Sequence, residues 1–144
     1  MKKKLLLMFV LFITVLMFSG CSNGERRIKI NNLSFNEPIN FIEMKKADGD
    51  NSASNGNKWI SYRYGFEGYT LRIIWREKQT YADYTKDSKL NYKDKTISGK
   101  KAHYVDTDEY SYTVIEDKDD LYIFEYTGSK KNNKAYKNLI NSIK

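Results

Sequence analysis

Apolar residues are crowded at the start of the chain and spaced out after it. Leu5 to Phe18 (LLLMFVLFITVLMF) forms one apolar run. From Ile28 onward apolar and polar positions alternate, in the pairs Ile28 and Ile30, Leu33 and Phe35, and Ile39 and Phe41. A period of two sends successive side chains to opposite faces, so each pair predicts a half-buried strand. Pro38, the only proline, has no amide hydrogen for a sheet and predicts a turn or an edge between two of these pieces. Asp48 to Lys58 (DGDNSASNGNK) holds no large apolar residue and is rich in Gly, Asn, Ser and Asp. It predicts a mobile loop.

The clearest local signal is Lys58 to Glu77, KWISYRYGFEGYTLRIIWRE. A two-residue turn at Glu67-Gly68, with glycine supplying the positive φ, fixes the pairing. Phe66 then faces Tyr69, Tyr64 faces Leu71, Tyr62 faces Ile73, and Ile60 faces Trp75. All of these fall on one face of the hairpin. The opposite face receives Ser61, Arg63, Thr70, Arg72 and Arg76, with Trp59 and Ile74 as apolar exceptions. A slip of one residue would invert both sets. The expectation is a hairpin with a core face and a basic face. Its aromatic side chains are read as core packing in preference to ligand stacking.

Thr80 to Lys89 (TYADYTKDSK) predicts a short helix, with Thr80 as cap, Asp83 three residues on, and Tyr81 and Tyr84 on one face. Three strands follow, over Lys101–Val105, Tyr110–Ile115 and Leu121–Tyr126. The last is apolar on both faces apart from Glu125, as a central strand is. Tyr136, Leu139, Ile140 and Ile143 recur at helical spacing and predict a helix over Asn133–Ile143. Lys134, Asn138 and Asn141 lie on its polar side. The predicted class is α+β: an antiparallel β-sheet flanked by a short middle helix and a C-terminal amphipathic helix. Residues 28–144 suffice for a single domain with one core.

The apolar run takes its meaning from its flanks. Three lysines precede it, and Ser19 and Gly20 follow, which is the three-part pattern of a secretory signal. It is shorter than the roughly 20 apolar residues that cross a bilayer as a helix. Its end, Phe18-Ser19-Gly20-Cys21, resembles a bacterial lipobox, with Phe18 where leucine is commonest. The resemblance implies a signal peptide over residues 1–20, a diacylglycerol on Cys21, and a lipidated tether over residues 21–27. It places the protein on the extracytoplasmic face of the cell membrane. One acyl chain holds a protein only marginally, at about 0.8 kcal/mol per methylene, whereas two or three hold it durably.

Cys21 is the only cysteine, so an internal disulfide and a cysteine-based metal site are excluded. Loss of residues 1–20 removes Lys2, Lys3 and Lys4 and no acid, which lowers the net charge from +7 to +4. Lysines and acids are interleaved after that, without the basic stripe of a nucleic-acid binder. The domain is expected to be a monomer that binds no nucleic acid.

Candidate chemistry is sparse. His103 is the only histidine and lies on a predicted strand, where it reads as an exposed polar residue without a catalytic partner. One histidine cannot build the usual zinc site. Asp48, Asp50 and Ser52 follow a calcium loop only until Ala53 and Lys58, where glycine and glutamate would stand. Asp106, Asp108 and Glu109 precede the strand at Tyr110, and Glu116, Asp117, Asp119 and Asp120 follow it. At about 3.4 Å per residue the two clusters cannot share one ion, and both read as solvated turns. No catalytic residue, metal or cofactor is expected; Cys21, as the lipidation site, is the single site residue.

Leu33-Ser34-Phe35 with Pro38, the piece Ile97-Ser98-Gly99-Lys100-Lys101-Ala102 with Tyr104, the strand Leu121–Tyr126 and the terminal Asn141-Ser142-Ile143-Lys144 together resemble small PsbP-like domains. They are also similar to uncharacterised Gram-positive lipoproteins. The resemblance implies an antiparallel sheet flanked by helices and a non-enzymatic binding or accessory role beside an envelope or membrane protein. Self-protection against a membrane-active peptide is the alternative. An envelope-acting enzyme, supported only by His103 and the acidic turns, ranks third.

Overall fold

The computed structural model describes residues 26–38, 42–51, 57–66 and 68–144. The signal segment, Cys21, Ile39 and Phe41 lie outside the described residues. Arg27–Ile30 (β1) and Leu33–Asn36 (β2) pair as a hairpin. Then come Ile42–Asn51 (β3), Asn57–Phe66 (β4), Tyr69–Arg76 (β5) and a short helix, Tyr81–Thr85 (α1). Lys93–Ile97 (β6), Lys100–Asp106 (β7), Tyr110–Asp117 (β8) and Asp120–Thr127 (β9) follow, and Lys134–Asn141 (α2) is the last helix. The molecule is mostly antiparallel sheet with two short helices.

Strands β3 to β9 form one seven-stranded sheet in the order β3-β4-β5-β9-β8-β7-β6. Two meanders thus meet where β5 pairs with β9, and residues 77–92 carry the chain from one side of that seam to the far edge. β9, apolar on both faces, is the central strand as its sequence requires. The β4–β5 register is the one that alternation fixes: Tyr64 faces Leu71, Tyr62 faces Ile73, and Ile60 faces Trp75. Gly68 sits in its turn at φ 84°, a conformation that costs a side-chain-bearing residue energy.

The first face of this sheet carries the main core. Leu71, Ile73, Tyr122 and Phe124 on it, with Ile115 from β8, are fully buried. They are covered by Ile28, Ile30, Leu33 and Phe35 of the β1–β2 hairpin and by Tyr136, Leu139, Ile140 and Ile143 at the chain's end. Phe35 meets Phe124 edge-on at 5.5 Å. Both periodicities read from sequence, two in the hairpin and 3.6 in the helix, therefore bury their apolar stripes against one surface. The second face carries a smaller core of Ile74, Val114, Leu121 and Ile123, covered by Tyr81, Tyr84 and Tyr92 of the crossover.

Three expectations are corrected, and one strand was not foreseen. Asp48–Asn51 and Asn57–Lys58, read as loop, belong to β3 and β4. β6 (KDKTI) gave no strand signal at all. Both β3 and β6 are edge strands; backbone pairing to one neighbour makes them, and charged side chains suit their solvated edges. Arg27, read as tether, begins β1. Its guanidinium donates to Asn36 Oδ1 at 2.9 Å, Ser34 Oγ at 3.0 Å and the Ser142 carbonyl at 3.2 Å. The middle helix is shorter than Thr80–Lys89, although Thr80 caps it as expected and accepts from the Asp83 amide at 3.1 Å.

Candidate functional site

In-register pairing lays one row of side chains across the second face. It runs from Ala47 on β3 through Ser61, Ile74, Ile123 and Val114 to His103 on β7 and Asp94 on β6. The crossover covers the part of this row from Ile74 to His103 and leaves the β4 side open. The row therefore ends in two different environments.

At the covered end His103 is 3% exposed, contrary to its reading as an exposed residue. Its Nδ1 lies 2.7 Å from Asp94 Oδ1 and its Nε2 2.7 Å from Glu116 Oε1. A neutral imidazole has one donor nitrogen and one acceptor, and an ionised carboxylate only accepts. Both bonds form together when the ring carries both protons. Lys101 Nζ lies 3.3 Å from Glu116 Oε1 and adds a cation to the cluster. Tyr81 stacks on the imidazole at 3.6 Å and 10°. The hydrogen bond from His103 holds the Glu116 carboxyl below the usual carboxylate range, against the opposing effect of burial. Burial first, then the Asp94 and Glu116 charges, raises the Tyr81 hydroxyl. With both nitrogens engaged and Tyr81 over the ring, His103 is a tie between β6, β7, β8 and the crossover.

At the open end lies a cavity of about 470 Å³ between β4, β5 and the start of the crossover. Its size falls within the range of small-molecule sites. Ile74 and Trp59 supply its apolar lining, and Ser61 supplies a small one. Trp59 lies close to Gly49 on β3, where an added Cβ would meet the indole at 3.4 Å, about van der Waals contact. Lys58, Arg72, Arg76 and Lys78 also line the cavity. Of these, Arg72 is held by Glu125, Nε to Oε2 at 3.2 Å. The two lining carboxylates are engaged as well. Glu77 Oε2 accepts from the Lys58 amide at 3.1 Å, and Asp83 is bonded to the capping hydroxyl of Thr80 at 2.6 Å. The side chains of Lys58, Arg76 and Lys78 have no ion-pair partner among the described residues. The carboxamide of Gln79 also lines the cavity, and its Oε1 is buried without a hydrogen-bond partner among the described residues.

The acidic clusters are not simply solvated turns. The turn after β8 is only Lys118-Asp119, with Lys118 at φ 58°, so Glu116, Asp117 and Asp120 are strand residues. Asp117 is buried and pairs with Lys100 at 2.8 Å. Asp120 accepts from Trp75 Nε1 at 3.1 Å and from the Lys78 amide at 3.2 Å, which pins the crossover to β5 and β9. Asp106 accepts from Ser111 Oγ at 2.5 Å. Among the described residues no group of three His, Cys, Asp or Glu could hold a metal ion.

The sequence reading named none of the cavity residues as a site. The signal was present in Trp59 and Ile74, the two apolar exceptions on the basic face of the hairpin. No family model matches the chain, and neither a curated protein nor a solved structure is significantly similar to it.

Proposed function

We propose that this protein is a membrane-anchored extracytoplasmic lipoprotein whose monomeric domain works by binding and performs no catalysis. The observation that carries this reading is the cavity on the open half of the second face. It combines two apolar side chains, Trp59 and Ile74, with charged groups of both signs, while the single histidine is engaged elsewhere as a structural tie. Small-molecule sites are concave and combine apolar contact with placed polar groups; this cavity is lined mainly by polar and charged side chains, with Trp59 and Ile74 as its apolar contacts. The lipid on Cys21 would hold the cavity near the bilayer, beside an envelope or membrane protein. The terminal helix against one face of an antiparallel sheet supports placing the domain in the α+β class with PsbP-like domains, although fold does not dictate function.

Crosslinking on intact cells, followed by detergent extraction, tests both parts. Wild type is expected in the detergent phase with a crosslinked partner or ligand. Cys21→Ser replaces a thiol by a much weaker nucleophile, blocks lipid transfer and shifts the mature domain to the aqueous phase. A mass spectrum separates that outcome from retention by an uncut apolar run. Detergent partitioning unchanged by Cys21→Ser, in a protein already cleaved, would refute the anchor. Recovery of the wild type alone under every crosslinking condition would refute the binding role.

A further inference from the structure

We infer that the cavity between β4, β5 and the crossover takes a neutral saccharide, with one sugar ring laid on Trp59. The inference rests on the binding role proposed above and names the chemistry of that site. Gly49 stands directly opposite Trp59 in the β3–β4 register. A Cβ added to it would lie 3.4 Å from each of three consecutive indole atoms, Nε1, Cε2 and Cζ2. Equal distances to three bonded atoms place Gly49 over one face of the ring. Among the described residues no aromatic ring or cation stacks on the other face, and Trp59 lines the cavity. The face of an indole is apolar and carries partial negative charge, which suits the polarised C–H face of a sugar ring.

The charges select a ligand without net charge. Side chains alternate along β4, so Lys58 turns to the face opposite Trp59. Arg72 is neutralised by Glu125 at 3.2 Å. Arg76 and Lys78 then stand against the carboxylates of Glu77 and Asp83. Two charges of each sign leave no net preference for an anion or a cation. The ligand must instead hydrogen-bond in both directions. Arg76 has no ion-pair partner among the described residues and can donate. The Glu77 and Asp83 carboxylates keep acceptor positions beyond those taken by the Lys58 amide and the Thr80 hydroxyl. Gln79 Oε1 is a buried acceptor without a partner among the described residues. A hydroxyl both donates and accepts, so a ring that carries several of them can meet all of these groups. The same ring chemistry could come from a free sugar or from the end of a glycan chain.

The test uses the full lipidated chain in phosphatidylcholine nanodiscs, with binding read by calorimetry. The probes are the methyl glycosides of glucose, galactose and N-acetylglucosamine, with phenyl phosphate and phenylalanine as charged aromatic controls. At least one glycoside is expected to bind about tenfold more tightly than either control. Its affinity should change less than about twofold as salt rises from 50 to 500 mM, because no net charge is screened. Trp59→Ala should weaken it about tenfold, and Trp59→Phe, which keeps a flat face, should recover part of the loss. Gln79→Ala, on the crossover, should weaken it several-fold and repeats the test should Trp59→Ala melt early. Tighter binding of the β-1,4-linked trisaccharide of the same sugar assigns a glycan chain as the source; equal binding assigns a free sugar. Glycoside affinity unchanged in both the Trp59→Ala and Gln79→Ala variants would overturn the cavity as the site. A control that binds as tightly as every glycoside would overturn the sugar while leaving the binding role intact. Failure of all three glycosides would overturn the sugar as well; a crosslinked partner from cells would still uphold the binding role, and its absence would overturn both.

Discussion

Phe124 and Ile123 are neighbours on β9, point to opposite faces and are both fully buried, yet their covers differ in kind. Phe124 lies beneath Phe35, in a core shared with the stripe of α2. Two of its hydroxyls are hydrogen-bonded within it: Tyr122 donates to the Ile30 carbonyl at 3.2 Å and Tyr136 to Thr113 Oγ1 at 2.7 Å. Burial pushes the Tyr122 hydroxyl up to about 12. Ile123 lies beneath tyrosines of the crossover, with the His103 ion cluster on one side and the open cavity on the other. The contrast separates two tasks. The first face supplies stability through apolar area, worth roughly 25 cal/mol per Å² removed from water. The second face has a partial cover, so charged side chains of both signs stay within reach of solutes.

The largest effect that could break this contrast is a cavity in the first face. Phe124→Ala is expected to cost about 3–5 kcal/mol in urea denaturation, the range for buried aromatic truncation. A loss below about 1 kcal/mol would mean that the first face does not dominate stability.

On the second face, His103→Ala is expected to cost less, about 1–3 kcal/mol, through two lost charge-assisted hydrogen bonds and a lost stacking contact. Asp94 is 77% exposed and can return to water, and Glu116 retains Lys101. His103→Gln keeps a donor and should recover part of the loss. Equal losses in the two variants would show that ring packing, and not the hydrogen bonds, makes the tie.

The pH dependence of stability should trace to the same cluster. Glu116 is held below its usual range in the folded state, mainly by the hydrogen bond from His103. A depressed carboxyl stabilises the fold above the unfolded value, near 4.3, and that stability is lost as pH falls through the lower folded value. Melting temperatures between pH 6 and pH 3 should therefore fall less steeply for Glu116→Gln than for wild type. Parallel slopes would remove Glu116 from the account. The smallest effect is expected at Arg76→Gln, within about 0.5 kcal/mol of wild type, as for a charge with no ion-pair partner among the described residues. A larger loss in urea would assign Arg76 a structural role and close the gap between the two faces.

What could be read before the structure depended on how local the cause was. The β4–β5 register was legible because one turn and one alternation admit a single solution. β9 was legible as central because both of its faces are apolar, and α2 because its stripe is strict. The edge strands β3 and β6 were not, since neighbours rather than their own side chains make them strands. His103 could not be placed because Asp94 and Glu116 come from two other strands, and only the register brings them together. The cavity was half legible: Trp59 and Ile74 broke the polar pattern, but nothing local indicated that the crossover would cover one of them and leave space beside the other.

The crossover also has a consequence for the order of events during folding. Every neighbouring pair in the large sheet is consecutive in sequence except β5 and β9. Trp75 and Asp120, bonded across that seam, stand 45 residues apart. Closing a long loop costs entropy before any contact compensates for it, and non-local pairings slow folding. The two meanders are expected to form first and the seam to join last. In stopped-flow folding, truncation of Ile60, inside a meander already formed, should then act mainly on the folding rate, and truncation of Ile74 or Ile123 at the seam should act more on unfolding. Until the seam closes, β9 would present an unpaired edge while apolar on both sides. The strand that is central in the finished sheet would be the segment most prone to pair with another chain while the sheet is incomplete.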